Sequence, residues 1–134
     1  MKRSAALTPL SRDHHHALSL AMQAGKAARS ADAGQWQQTA DTIRLHYRQT
    51  LQAHFAAEEC ALLPALARAG QTQLVQRTLD EHAHLHQLMQ HAGLASPAQL
   101  QAFADAMTAH VRFEERELFA LAESLPEVMA ALQS

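Results

Sequence analysis

HFAAEECALLPAL (residues 54–66) and HVRFEERELFAL (residues 110–121) are two versions of one pattern. A histidine is followed four residues later by a carboxylate, then a second carboxylate, then a run of leucine, phenylalanine and alanine. The apolar residues return every three or four positions, the period of an α-helix, and neither stretch alternates as a strand does. A four-residue step on a helix turns about 40° and rises about 6 Å, so His54 and Glu58 point the same way, as do His110 and Glu114. One helix can thus offer two donors to one ion. A third stretch, EHAHLH (residues 81–86), offers His82 and His86 at the same spacing. Imidazole and carboxylate donors without a thiolate suit iron, manganese or zinc.

Working outward, punctuation divides the rest of the chain into helices. Thr8–Pro9 predicts an N-cap followed by proline at the first helical position, and Ser96–Pro97 repeats it with Gln99 completing a capping box. Gly25, Gly34, Gly70 and Gly93 read as breaks between periodic segments, and Pro64 and Pro126 as residues near segment ends. Four main helices are expected at roughly 9–29, 35–68, 71–92 and 97–123, with a short helix after Pro126. Connections of a few residues make neighbouring helices antiparallel. The expected fold is all-α: an antiparallel up-down-up-down four-helix bundle with a short C-terminal helix, in a single domain spanning 1–134.

Composition excludes several classes of function. With 134 residues and a formal charge of −2, the chain carries no Lys/Arg run that would suit nucleic acid. Its apolar stretches are short and broken, so no membrane span is expected, and the N-terminus has no signal-peptide core. The lone Cys60 excludes an internal disulfide and fits a reducing, cytoplasmic setting. Ten histidines are the compositional outlier. The Gly-x-Ser-x-Gly elbow, the phosphate-binding glycine loop and the His-Glu-x-x-His protease helix are all absent. The Glu-x-x-His spacing of ferritin-like bundles occurs once, at Glu81–His84, and is expected to face outward.

A rotation of 100° per residue tests whether the motif residues face a core. Leu7, Leu10, Leu18 and Ala21 fall within about 40° of His14, whereas His15 and His16 lie about 100° and 200° away. Ile43, Tyr47, Glu58 and Ala61 share the face of His54; Val75, His86 and Met89 share that of His82. Phe103, Ala106, Glu114, Glu117 and Leu121 share the face of His110. The inward set is His14, His54, Glu58, His82, His86, His110 and Glu114. Five imidazoles and two carboxylates exceed what one tetrahedral zinc takes, and match two octahedral ions bridged by the carboxylates.

A lone inward histidine is more often a hydrogen-bonded core residue than a ligand. Three i,i+4 pairs and a fourth inward histidine outweigh that reading. His15, His16, His84 and His91 are expected to be solvated or at an interface. His46, about 80° from His54, is a residue that could support a ligand from outside. Glu59 and Glu115 are read as surface carboxylates or as N–H partners of a ligand imidazole. Cys60 is read as outward-facing and not as a nucleophile.

LSRDHHHAL, HFAAEECALLPAL, LDEHAHLHQL and HVRFEERELFAL, in that order, resemble the hemerythrin-like, or HHE cation-binding, family over almost the whole chain. The resemblance implies a four-helix bundle holding two non-haem irons, with zinc or manganese as substitutes. It implies His14, His54, His82, His86 and His110 as terminal ligands. Glu58 and Glu114 would bridge the ions, with an oxygen from water as a third bridge. Oxygen-carrying hemerythrins end on His-x-x-x-x-Asp, whereas this chain has His110-x-x-x-Glu114, which places it with the HHE branch. Not every HHE protein has a second histidine on the third helix, so His86 is the ligand the resemblance supports least. Three classes stay open: a module binding, sensing or storing oxygen, nitric oxide or iron; a redox enzyme acting on peroxide or nitric oxide or repairing iron centres; and a bundle with a structural metal. The first is the expectation, with no nucleic-acid or membrane partner and a homodimer left open.

Overall fold

Ser96 starts the helix that carries His110. Its hydroxyl accepts from the Gln99 N–H at 3.3 Å, and Pro97 fills the first helical position, where a missing N–H costs nothing. The computed structural model describes residues 3–133, and those residues form five helices and no strand. They are α1 (Thr8–Ala28), α2 (residues 33–68), α3 (Thr72–Gln90), α4 (residues 97–124) and α5 (Pro126–Gln133). Among the described residues no helix is long and apolar enough to cross a membrane.

Two boundaries differ from expectation. Thr8 is the first residue of α1 and not its cap: its hydroxyl donates to the Ser4 carbonyl at 2.8 Å. The turn made by Leu7 and Thr8 N–H on that same carbonyl winds the chain before the helix begins. At α2 the cap is Asp32, whose carboxylate accepts from Gly34 and Gln35 N–H at 2.9 and 3.4 Å. Gly34 therefore lies in the first turn of α2, and Gly25 lies inside α1 against Ala104; neither is a break. Gly70 is one. Its φ of +88° ends α2, with Gln71 N–H bonding Leu66 O and Gly70 N–H bonding Ala67 O, a Schellman closure.

The two long helices are not uniform. In α2 the backbone widens to π turns at Tyr47–Leu51 and Glu58–Leu62, and in α4 at Glu114–Leu118. Leu63 N–H reaches back to Glu58 O, and Phe119 N–H to Glu114 O, each five residues away. A π turn holds one extra residue, so every residue beyond it rotates off the 100° register. This corrects three expectations. Ala61 is exposed and Leu62 buried; Glu117 is exposed and Leu118 buried; Ala122, not Leu121, is the buried residue of the next turn. Pro64 follows the second π turn inside α2 and does not end it.

Contacts between helices pair rising numbers on one with falling numbers on the other. Between the α1 strand of chain and α4, Arg3 meets Glu123, His14 meets Glu114 and Gly25 faces Ala104. Between α1 and α2, Asp13 meets His54 and His16 meets His46. Between α2 and α3 the pairs are Arg44 with His91, Tyr47 with His86 and Glu59 with His82. Between α3 and α4 they are Arg77 with Glu117 and Glu81 with His110.

The apolar core falls into two clusters. One gathers Ala17, Leu20, Ile43, Leu51, Phe55, Leu85, Met89, Phe103 and Met107. The other gathers Leu7, Leu62, Leu66, Phe113, Leu118, Phe119 and, from α5, Val128. On α1, His14 lies between Leu7 of the second cluster and Ala17 of the first; on α2, His54 and Glu58 lie between Leu51 and Leu62. The polar residues thus form a layer that interrupts an otherwise continuous hydrophobic interior.

Candidate metal centre

Six of the seven residues expected to face inward lie in that layer. His14, His54, His82 and His110 are 2–4% exposed, and Glu58 and Glu114 are fully enclosed. Two groups of four converge: His14, His54, Glu58 and Glu114 in one, and Glu58, His82, His110 and Glu114 in the other. Within each group one ligand atom per residue lies within 4.8 Å of the rest. Both groups hold two imidazoles and the same two carboxylates.

All four rings turn Nε2 inward. His14 Nε2 lies 2.8 Å from Glu114 Oε1, and His54 Nε2 lies 3.4 and 3.6 Å from Glu58 Oε2 and Glu114 Oε1. His82 Nε2 is 3.0 Å from Glu58 Oε1, and His110 Nε2 is 3.2 Å from Glu114 Oε2. Most of these approaches are close without hydrogen-bond geometry. Both Glu58 oxygens, Glu114 Oε2, His82 Nε2 and His110 Nε2 are buried and make no hydrogen bond. Buried polar atoms left so cost about 1–3 kcal/mol each. A cation shared by the lone pairs would satisfy them together, and the donor set fits that use.

The outer ring nitrogens meet four other carboxylates. Asp13 on α1 takes His54 Nδ1 at 3.0 Å, and Glu59 on α2 takes His82 Nδ1 at 2.7 Å. Glu81 on α3 takes His110 Nδ1 at 2.7 Å, and Glu115 on α4 takes His14 Nδ1 at 2.6 Å. Each helix supplies the carboxylate for a histidine of the next, and α4 closes the ring on α1. An Nδ1–H donated to a carboxylate fixes the tautomer that leaves Nε2 free to bind a metal. Two of these carboxylates are held in turn. Arg3 and the Ser11 hydroxyl reach Glu115, and Arg77 Nε lies 2.9 Å from Glu81. Phe119 stacks on His14 at 5.3 Å and Phe55 on His82 at 4.2 Å, so neither ring is free to turn.

Without a cation the layer holds protons. Burial works against charge on each ring, yet Glu58 and Glu114 outweigh it and lift His54 to about 11 and His82 to about 10. His110 is lifted to about 9 against its own burial, chiefly by Glu114, and His14 is raised by Glu114 and Glu115. Burial and the neighbouring Glu114 charge raise Glu58. Glu114 is held low despite its burial, because four imidazoles surround it. Imidazolium charge stands where a metal charge would stand.

His86 is the exception to the expected set. It is exposed, lies outside both groups and hydrogen-bonds through Nδ1 with the Tyr47 hydroxyl. The buried positions of α3 are Thr78, His82, Leu85 and Met89, which centre the inward stripe about 70° away from His86. The expectation that it faces the core is corrected on that account. His15, His16, His84, His91 and Cys60 are exposed. His46 is half-buried beside His16, not on a ligand ring. Glu59 and Glu115 are N–H partners of imidazoles. Asp13 and Glu81, which have the same role, were not expected. Their signal was position: each directly precedes a buried histidine, as Glu59 and Glu115 directly follow a buried glutamate.

A family model described as the hemerythrin HHE cation binding domain matches residues 6–122. Comparison with curated proteins and with solved structures found no match.

Proposed function

This chain belongs to the hemerythrin HHE cation-binding family, and from that premise we propose that its buried layer holds two non-haem iron ions, in a module that binds, senses or stores oxygen, nitric oxide or iron. The observation that carries the reading is the pair of four-residue groups sharing Glu58 and Glu114. Two ions, each held by two imidazoles and both drawing on Glu58 and Glu114, would account for that sharing. His14 and His54 would hold one ion, and His82 and His110 the other. The helix pairings support an antiparallel up-down-up-down bundle of α1 to α4 with α5 across one end, acting as a single domain.

Hard carboxylate and intermediate imidazole donors favour iron or manganese at octahedral positions. Four protein donors complete a tetrahedral zinc but leave an octahedral ion open to an outside ligand. When bound, the two irons would supply that exchangeable coordination and a one-electron redox couple. The protein's share is the enclosure: two apolar clusters on either side, and imidazoles fixed by the outer carboxylates. The exposed free thiol of Cys60 supports a reducing, cytoplasmic location.

The test is elemental analysis and an optical spectrum of protein purified anaerobically and then exposed to oxygen or nitric oxide. Two irons per chain and a spectral change with either gas are expected. One tightly held zinc, no iron uptake and no response to gas would overturn the reading in favour of a structural metal.

A further inference from the structure

Between α2 and α3 the surface opens into a cleft of about 470 Å³. Its floor includes His82, an inner residue of the layer, with Phe55 stacked on the ring. Its walls include Ala56 and Ala83 together with Gln52 and Leu79, buried Tyr47 lines it from α2, and the exposed Glu59 and His86 stand at its rim. A comparable cleft of about 430 Å³ lies between α3 and α4 and reaches His110. The two differ in what stands beside the carboxylate that serves the histidine. On the α3–α4 side, which Asp80 also lines, Arg77 pairs with Glu81, the carboxylate that serves His110. On the α2–α3 side Glu59 is part-exposed, and its only ion pair among the described residues is with His82 itself.

We propose that the α2–α3 cleft is the route by which a divalent cation reaches the buried layer, with His86 and Glu59 capturing the ion at the rim and His82 receiving it. The proposal rests on the reading of that layer as a metal centre. Among the described residues Glu59 pairs with no arginine or lysine and can draw a cation toward the His82 ring it serves, whereas Arg77 already pairs with the carboxylate that serves His110. The alanine walls leave room for an ion that keeps part of its water. His86 fits this role because it is exposed beside the cleft and its ring is oriented by Tyr47, while His82 sits one helical turn further in. Its place in the sequence pattern then reflects delivery and not residence.

The experiment measures anaerobic uptake of ferrous ion by metal-stripped protein, in competition with a chromogenic ferrous chelator, and the final iron per chain. Ala83→Trp and Ala56→Trp fill the cleft from opposite helices and replace no layer residue. Each should slow uptake by about tenfold while reaching the wild-type final content. Ala109→Trp, which narrows the α3–α4 cleft, should load at the wild-type rate. His86→Ala should slow uptake and leave the final content unchanged. Wild-type rates in both cleft-filling variants, or slowing by Ala109→Trp alone, would overturn the route. A lowered final content in His86→Ala would make that residue a ligand and overturn its role in capture. Circular dichroism of each stripped variant checks folding, and the two walls lie on different helices, so loss of one variant leaves the other. Failure of the wild type to take up iron at all is the separate result that removes the metal reading itself.

Discussion

Glu115, the residue after the shared Glu114, accepts the Nδ1–H of His14 at 2.6 Å and so joins the last helix of the ring back to the first. Asp13, Glu59 and Glu81 make the other three links, each from one helix to a histidine of the next. The arrangement ties ligand orientation to bundle assembly. A helix that shifts along its neighbour moves both its own inner donor and the carboxylate orienting the neighbour's.

Glu115→Gln keeps an acceptor but removes the charge that strengthens the His14 imidazole as a donor. It should weaken binding of one ion by about 10- to 100-fold, measured by chelator competition, with the other ion little changed. Asp13→Asn should act on the same ion through His54. Unaltered affinity in both variants would show that the outer carboxylates do not tune the centre.

Shared and unshared donors should give different stoichiometries. Glu58→Ala and Glu114→Ala each remove a donor from both groups, and both ions should be lost. His14→Ala removes a donor from one group, and iron per chain should fall toward one. His16→Ala should change nothing, because His16 points to solvent about 200° from His14. Elemental analysis per chain reads all four variants; equal losses from His14→Ala and His16→Ala would mean that helix one is rotated from the register described.

How much of this was legible depended on helical regularity. The i,i+4 spacing of His54 with Glu58 and of His110 with Glu114 lies in plain α-helix, where 100° per residue holds, and the burial of those four follows from it. Beyond Glu58 and Glu114 the regularity stops. Both open π turns, and nothing in the composition of EECAL or EEREL distinguishes a π turn from an α turn, so a uniform 100° step gives Ala61 and Glu117 inward faces they do not have. His86 failed for another reason. His86 is only about 40° from His82, but the stripe of α3 is centred between His82 and Leu85, and a 40° step from its edge leaves the core. The ring of outer carboxylates was half visible, because a partner on another helix has no signature in local spacing.

The slip in register can be tested by neighbouring substitutions. Leu62→Ala and Leu118→Ala each truncate a fully buried side chain in the second cluster and should cost about 2–5 kcal/mol by urea unfolding. Glu117→Ala should stay within about 0.5 kcal/mol of the parent, since its side chain is 54% exposed. Ala61→Ser should be equally silent. A large loss for Glu117→Ala with none for Leu118→Ala would restore the uninterrupted α register.

The stability of the metal-free protein and the stability added by metal should change with pH in opposite directions. Without metal, His54, His82 and His110 hold protons up to about 11, 10 and 9, whereas in the unfolded chain each would titrate near the ordinary histidine value of about 6.5. A histidine raised in the fold contributes stability that is fully present below its unfolded value and is lost as pH climbs through its folded value. The stripped protein should therefore melt at a lower temperature at pH 9 than at pH 6.5. Metal binding needs those imidazoles neutral, so the ion displaces protons and holds more tightly as pH rises. The loaded protein should gain stability over the stripped form at both values, and gain more at pH 9. Thermal melts followed by circular dichroism, with metal content confirmed in each sample, read the difference. A gap between loaded and stripped protein that narrows as pH rises from 6.5 to 9 would mean that protons do not occupy the layer in place of the metal.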